Sequence, residues 1–569
     1  MKQPLLSLLL ILTSCTCGRA QITGVPVALH YLADPLPEMG YANGTTLGDL
    51  GPTRLAFTRS ILEWKPNNLA AGFARMPWMG AFSPHRNIYF KDEPYDNRHR
   101  LTAAGGPDQL AAQVILRPEN YYWSGLGVHY NRNRFRVDTD TDGRLDRPDR
   151  ENLRVETHGQ YQRDEFNASM GADYLREETR RGGPEGIVAK RERVGTMAKI
   201  GYNGLRNLRL LTFANLRLER VDRSFAGRMT DGRRSYLDSG VKASWRNNRD
   251  DIGSVLKLHN VRIYDRLGTS SRFADRKEIL NLIGHELKYR PGGGTEISLE
   301  QHYRHGRLGE RRYLPNLALV YAPFAKHLIT LRAGRAGAYR NPLLNDDHLS
   351  YTLRTREQVE PLRTEDFLRY GVELNGEGNS ISYSVQAVRR DYRNYTTVVY
   401  APADRLVMSQ RGGVRRTTVA GEVNLHLWRD DHYHPGLVIS ANYRYDELEA
   451  ATTEGMLLPA RHSLWTRATH TFYPGGDEDW TLQTKVGYLW VAGVQSLSGE
   501  TTLPARTRLD ASARLRYKRG FVAVRGEQLL RDRPLYGAGV DGMQRLPLGS
   551  EFATLGGRWV TLAFGVGLR

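Results

Sequence analysis

The sequence predicts an all-β fold: a transmembrane antiparallel β-barrel of about 22 strands preceded by a short N-terminal plug remnant. Three observations lead there. Apolar and polar residues alternate at period two over long segments, and tight turns alternate with long polar stretches. Nowhere in the chain is there the run of roughly 20 apolar residues that a membrane helix needs. A mean hydropathy of −0.54 fits a barrel, because half of every strand faces water. Aromatic residues (30 Tyr, 15 Phe and 9 Trp) are spread along the chain, which excludes an all-polar disordered protein.

Taken in order, the chain begins with an export signal. Lys2 supplies a basic start, Pro4 to Leu12 an apolar stretch, and Gly18-Arg19-Ala20 a cleavage site before Gln21. Residues 1–20 are therefore read as a signal peptide. Leu12-Thr13-Ser14-Cys15 also fits a lipobox, whose cysteine would carry lipid. Both cysteines of the chain, Cys15 and Cys17, lie in this segment, so the mature protein is expected to have neither disulfides nor thiolate metal sites. Residues 21–80 form the plug-like segment and 81–569 the barrel.

Alternation is clearest from Arg506. Thr507, Leu509, Ala511, Ala513, Leu515 and Tyr517 share one face; Arg506, Arg508, Asp510, Ser512, Arg514, Arg516 and Lys518 share the other. The same pattern runs from Leu153 to Tyr161 and from Leu437 to Tyr445. It also runs from Leu208 to Leu218, where Leu211 and Phe213 interrupt the polar face. These segments of about 10–13 residues exceed the usual soluble strand of about 5–6. A long strand with one apolar and one polar face suits a wall between lipid and a wet interior, closed so that no edge is left in lipid.

Ten tight turns are expected near 118–119, 163–164, 203–204, 248–249, 291–294, 323–326, 376–379, 430–434, 474–479 and 519–520. Longer stretches lie between the pairs they join, at 135–151, 179–189, 222–234, 266–277, 341–362, 392–415, 447–458, 493–503 and 534–554, and one short gap at 307–310. Ten turns make twenty strands, and a closing strand from Gly557 to Arg569 makes one more. Parity then requires another strand before residue 111, placed at Asn87–Lys91 and followed by a loop over 92–110. Val398–Tyr400 is read as part of an external loop, because counting it as a barrel strand would invert the parity.

This strand number matches plugged outer-membrane transporters. The chain resembles a TonB-dependent receptor of the bacterial outer membrane. Leu546-Pro547-Leu548-Gly549 through Gly557-Arg558-Trp559-Val560-Thr561-Leu562 looks like that family's closing strand, with Val560, Leu562, Phe564, Val566 and Leu568 as its lipid-facing row. The last residue, Arg569, stands where the family has an aromatic. Gly24-Val25-Pro26-Val27 and Gly48–Pro66 look like the later half of the family's plug, without its first part or a recognisable TonB box. The resemblance implies uptake of a nutrient too large for porins, with no catalytic residues and with TonB or a surface lipoprotein as partner. Two other readings stay open: a plug-deficient scaffold subunit of an outer-membrane complex, and a passive channel.

One local motif points to an ion. Asp138, Asp140, Asp142, Asp146 and Asp149 occupy positions 1, 3, 5, 9 and 12 of an EF-hand-type loop, with Gly143 at the bend and Arg144 offering its carbonyl. A structural calcium in an external loop is expected there. Asp149 replaces the usual glutamate, and Arg144, Arg147 and Arg150 oppose a cation. Gly537-Ala538-Gly539-Val540-Asp541-Gly542 matches a dinucleotide fingerprint in letters alone, since no helix follows. Asp430, Asp431, His432 and His434 read as a polar turn, and His285-Glu286 as a strand.

The basic balance (81 Lys and Arg against 62 Asp and Glu) has arginines at 132, 134, 136, 180, 181, 191, 193, 415, 416, 531 and 533. Spread through an exported protein, they do not form a nucleic-acid module. Inward ones would make a positive lumen or pair with carboxylates across strands. Those in loops would meet lipid phosphates or lipopolysaccharide.

Overall fold

The computed structural model describes the chain from His99 to Leu568, apart from 107–108, 117–124, 135–148, 181–187, 307–310, 339–364, 402–404, 429–435, 453–460, 475–478, 493–504, 531–558 and one or two residues at ten other positions. Strands follow one another as β1 (His99–Gly106), β2 (Gln109–Leu116), β3 (Gly125–Arg134), β4 (Asp149–Arg163), β5 (Phe166–Arg180), β6 (Val188–Leu205), β7 (Leu208–Phe225) and β8 (Arg228–Arg246). Next come β9 (Ile252–Thr269), β10 (Arg272–Gly292), β11 (Thr295–Gly306), β12 (Arg311–Phe324), β13 (His327–Ala338), β14 (Glu365–Glu377), β15 (Ile381–Tyr392), β16 (Tyr395–Ala401) and β17 (Arg405–Arg411). The series ends with β18 (Val414–Trp428), β19 (Gly436–Glu449), β20 (His462–Phe472), β21 (Trp480–Ala492), β22 (Arg506–Tyr517), β23 (Gly520–Glu527) and β24 (Trp559–Leu568).

Twenty-two of these form one antiparallel sheet, and β16 and β17 pair only with each other. Each barrel strand hydrogen-bonds to the next one in sequence. The wall closes where β1 meets β24, from His99 opposite Leu568 to Gly105 opposite Leu562. Closure leaves no unpaired edge, the condition for crossing lipid with strands. The hairpin of β16 and β17 projects within 392–415, so reading Val398–Tyr400 as lying outside the barrel agrees with the structure.

The expected faces are the observed ones. On β24, Val560, Leu562, Phe564 and Val566 are each more than half exposed outward, while Ala563 between them is buried. On β22, Leu515 and Tyr517 are exposed and Asp510 is wholly buried. Phe213, an interruption in the sequence pattern, turns inward. It sits opposite Gly240 and 4.8 Å from the His259 ring. A Cβ at Gly240 would lie 2.9 Å from that phenyl ring and 2.5 Å from the Leu258 carbonyl oxygen, so glycine is what admits the aromatic.

Aromatic residues mark both borders of the apolar belt, as in outer-membrane barrels. At the end where His99 meets Leu568 and the tight turns lie stand the pairs Phe166–Tyr202 (4.7 Å) and Trp480–Tyr517 (4.3 Å), with Tyr289 and Tyr321. At the other end stand Tyr303, Tyr313, Tyr370 and Tyr443. Turn chemistry is local: Gly294 has φ +74°, and Lys518 has φ +47°. The Lys518 ammonium stays charged beyond the ordinary lysine range through hydrogen bonds to Tyr517 and Asp479.

Several expectations need correction. The extra strand before residue 111 is β1, inside the stretch 92–110 read as a loop; Asn87–Lys91 lies outside the described residues. The turn expected at 203–204 lies two or three residues later, between Leu205 and Leu208. Stretches 222–234 and 266–277 are not loops, because β7 and β8 continue to Phe225 and Arg228, and β9 and β10 to Thr269 and Arg272. Beyond the membrane both faces meet water, so alternation of polarity vanishes while backbone pairing continues. The plug-like segment 21–80 lies outside the described residues.

Candidate solute pathway

Inward positions line the barrel, and their charges pair both across strands and between residues two apart on one strand. On β9 to β11 the carboxylates of Glu286 and Glu296 alternate with cations. Lys288 Nζ lies 2.8 Å from Glu286 Oε1, Lys257 Nζ 3.8 Å from Glu286 Oε2, and Arg290 Nε 2.8 Å from Glu296 Oε2. His302, almost fully buried, has its Nε2 3.7 Å from Glu300 Oε2. Alternation places these residues on one face, and the antiparallel register sets them side by side: Lys257 opposes Gly284, which opposes His302.

A second cluster lies on β18 and β19. Asp446 accepts hydrogen bonds from Arg416 Nε (3.2 Å), from Thr418 Oγ1 (2.6 Å) and from Arg444 Nε. All four side chains are buried. One carboxylate held by two arginines leaves a local positive excess. Further round, Arg467 lies 5.1 Å over the Trp465 ring and Arg514 4.4 Å over Phe521. Among the described buried residues, six are Lys or Arg and four are Asp or Glu, so the interior is basic.

At the rim, Asp366 joins three strands and the external hairpin. Arg335 binds it through two nitrogens (2.8 and 2.6 Å), and Arg312 Nη1 lies 2.9 Å away. The Asp366 backbone N–H donates to Asn394, and the Arg393 N–H donates to the Asp366 carbonyl. Below the hairpin, Phe367, Tyr392, Tyr395 and Val414 form a buried apolar cluster against Leu448 and Ala450. The hairpin is thereby seated on the wall.

The residues singled out from sequence divide accordingly. Arg193 and Arg416 are buried inward, the latter in an ion pair, as cross-strand pairing predicts. His285 stays on a strand, outward-facing, its Nε2 3.0 Å from Ser254 Oγ. Asp138, Asp140, Asp142, Arg144 and Asp146 lie outside the described residues. Asp149 opens β4, opposite Arg134 and Arg180. Residues 430–434 and 537–542 also lie outside. Among the described residues no group of three metal-ligating side chains occurs. Sequence reading missed Asp366, because its partners come from positions 312, 335 and 393; only the pairing of β12 to β14 unites them.

No protein-family model matches the sequence, and no curated protein matches it. Solved structures do match in fold. A ferric enterobactin receptor variant from Pseudomonas aeruginosa superposes with TM-score 0.60 at 10% identity, over 83% of this chain and 80% of that one. The siderophore receptor PirA from Acinetobacter baumannii gives 0.60 at 10% over the same shares. The alcaligin outer-membrane receptor from Bordetella pertussis gives 0.57 at 11%, covering 83% and 76%. The protein is a closed antiparallel β-barrel with the fold of these siderophore receptors.

Proposed function

We propose that this chain is an outer-membrane receptor that takes up an anionic nutrient and passes it through the barrel to the periplasm, energised by TonB. The observation that carries this reading is a closed 22-stranded wall, shared in fold with siderophore receptors, around a basic interior. Paired charges such as Arg416–Asp446 hold the wall rigid, and the excess of cations attracts a negative solute. Nothing in this reading calls for covalent chemistry. The test is uptake of a labelled anionic chelate in cells carrying the intact chain, the chain lacking residues 21–40, or no TonB. Loss of uptake in both deficient strains is expected. Uptake that persists in both, with large steady conductance of the purified barrel in planar bilayers, would overturn it in favour of a passive channel.

We also propose that Asp138, Asp140, Asp142, the Arg144 carbonyl, Asp146 and Asp149 hold a structural calcium in an external loop. Calorimetry should detect calcium binding that D138A and D140A abolish. Unchanged binding in those variants would remove the proposal.

A further inference from the structure

We propose that the seam between β12 and β13 is a lateral gate in the wall, latched at Asp366, through which the acyl chain of a single-tailed anionic amphiphile passes from the outer leaflet into the lumen. This rests on reading the barrel as an outer-membrane protein and is independent of TonB-driven uptake.

The ladder between these two strands stops early. It runs from Tyr321 opposite Ile329 up to Asn316 opposite Gly334 and no further. Both strands go on. β12 stays paired with β11 as far as Arg311, opposite His305, and β13 with β14 as far as Ala338, opposite Glu365. The rungs that the register would supply next, from 315 opposite 335 to 312 opposite 338, are missing. Pro315 is the cause. At the lower end of the β11–β12 pair the Ala322 N–H donates to the Gly294 carbonyl. Bonding direction alternates along a strand, so even positions of β12 face β11 and odd positions face β13. Position 315 would therefore donate to β13 at the first missing rung, and proline has no N–H to give.

Above the split, side chains stand in for backbone. Arg312 of β12 reaches Asp366 of β14 (2.9 Å), where Arg335 of β13 also binds through two nitrogens. Such a latch can let go without melting a strand, because a carboxylate head offers the guanidiniums the same kind of acceptor that Asp366 does. The borders of the seam suit a run of methylenes. Tyr313 and Leu368 are exposed on the lipid side, and Leu314, next to Pro315, is buried inward. An acyl chain crossing there keeps apolar surface beside it. The seam between β18 and β19 is built differently: its Asp446 cluster is backed by a ladder that continues to Arg415 opposite Glu449.

The test places the full chain in vesicles, checks insertion by heat-modifiable mobility, and irradiates it with a palmitate analogue carrying a diazirine in its tail. Mass spectrometry separates labelling of the inward Phe367 and Val388 from labelling of the lipid-facing Leu317, which surface binding alone would give. Inward labelling is expected in the unsubstituted chain and should rise about tenfold in Asp366→Asn, which removes the carboxylate of the latch. Pro315→Ala, which restores the donor, should lower it. Leu314→Cys/Ala336→Cys joined by a short bis-maleimide should abolish it and leave Leu317 labelled. The same linker across Gln386→Cys/Ala420→Cys, on the paired seam of β15 and β18, should change nothing. The corresponding diazirine alcohol, without an anionic head, should label the lipid side alone. Inward labelling that survives the 314–336 linker, falls equally with the 386–420 linker, ignores both Asp366→Asn and Pro315→Ala, or is matched by the alcohol would overturn the gate. A barrel that does not insert would instead overturn the membrane reading beneath it.

Discussion

The wall of β5 to β10 and the wall of β11 to β21 cross the same membrane and end in different borders. Strands of the first run 15 to 21 residues and carry their pairing well past the apolar belt. Near its upper border Arg220 stands opposite Arg233. Barrel strands of the second run 11 to 15 residues, and their border is built from Tyr303, Tyr313, Tyr370 and Tyr443, the last bonded to His462 Nδ1 at 2.8 Å. One repeating hairpin therefore serves two purposes. Where strands end near the headgroups, amphipathic rings settle the edge at low entropic cost. Where they continue into water, charge pairs between strands replace the missing apolar face.

Breaking the second wall at its buried ion cluster should have the largest effect. Asp446→Ala leaves Arg416 and Arg444 buried without their counter-ion, and a loss of about 3–5 kcal/mol is expected. Folding free energy in vesicles, read from heat-modifiable electrophoretic mobility against urea, measures it. Next comes depth dependence. Leu317→Arg, midway between Tyr313 and Tyr321 on β12, should cost about 2–4 kcal/mol, whereas Leu218→Arg beside Arg220 should cost about 0–1 kcal/mol. Equal costs would erase the distinction between the two borders.

In the first wall, Gly240→Val should cost about 1–3 kcal/mol by forcing Phe213 and His259 apart, and it should broaden their aromatic resonances. The smallest effect is expected at the tyrosine border. Tyr443→Phe removes one hydrogen bond to His462 and should cost about 0.5–1.5 kcal/mol, with retained barrel closure on the same gel assay. A cost as large as that of Asp446→Ala would mean the border, rather than the interior, stabilises this wall.

Much of the barrel was legible because its constraints are local. Leu437, Ile439, Ala441 and Tyr443 alternate with Ser440, Asn442 and Arg444 wherever the strand pairs, and nine of the ten short turns fall at junctions between observed strands. The reading failed where polarity stopped reporting on backbone. Residues 222–234 read as a loop because their charges hide a hairpin in water, and 92–110 hid β1 because its small residues, such as Ala103 and Ala104, carry little contrast. The site was less legible still. Arg416 stood out as one of many arginines; that it shares Asp446 with Arg444 follows from register alone.

Sequence by itself determined the all-β class, the alternation of lipid and lumen faces, the short-turn rhythm and the parity of the strand count, since each depends on neighbours one to twenty residues apart. Tertiary structure decided which charges meet. The Asp366 cluster, the Lys257–Glu286 pair and the facing Arg220 and Arg233 all join residues from separate strands. Pair energies depend on separations of a few ångströms, and a one-residue slip in register would turn every such side chain to the opposite face. Closure of β1 on β24 is of the same kind, because it joins the two ends of the wall.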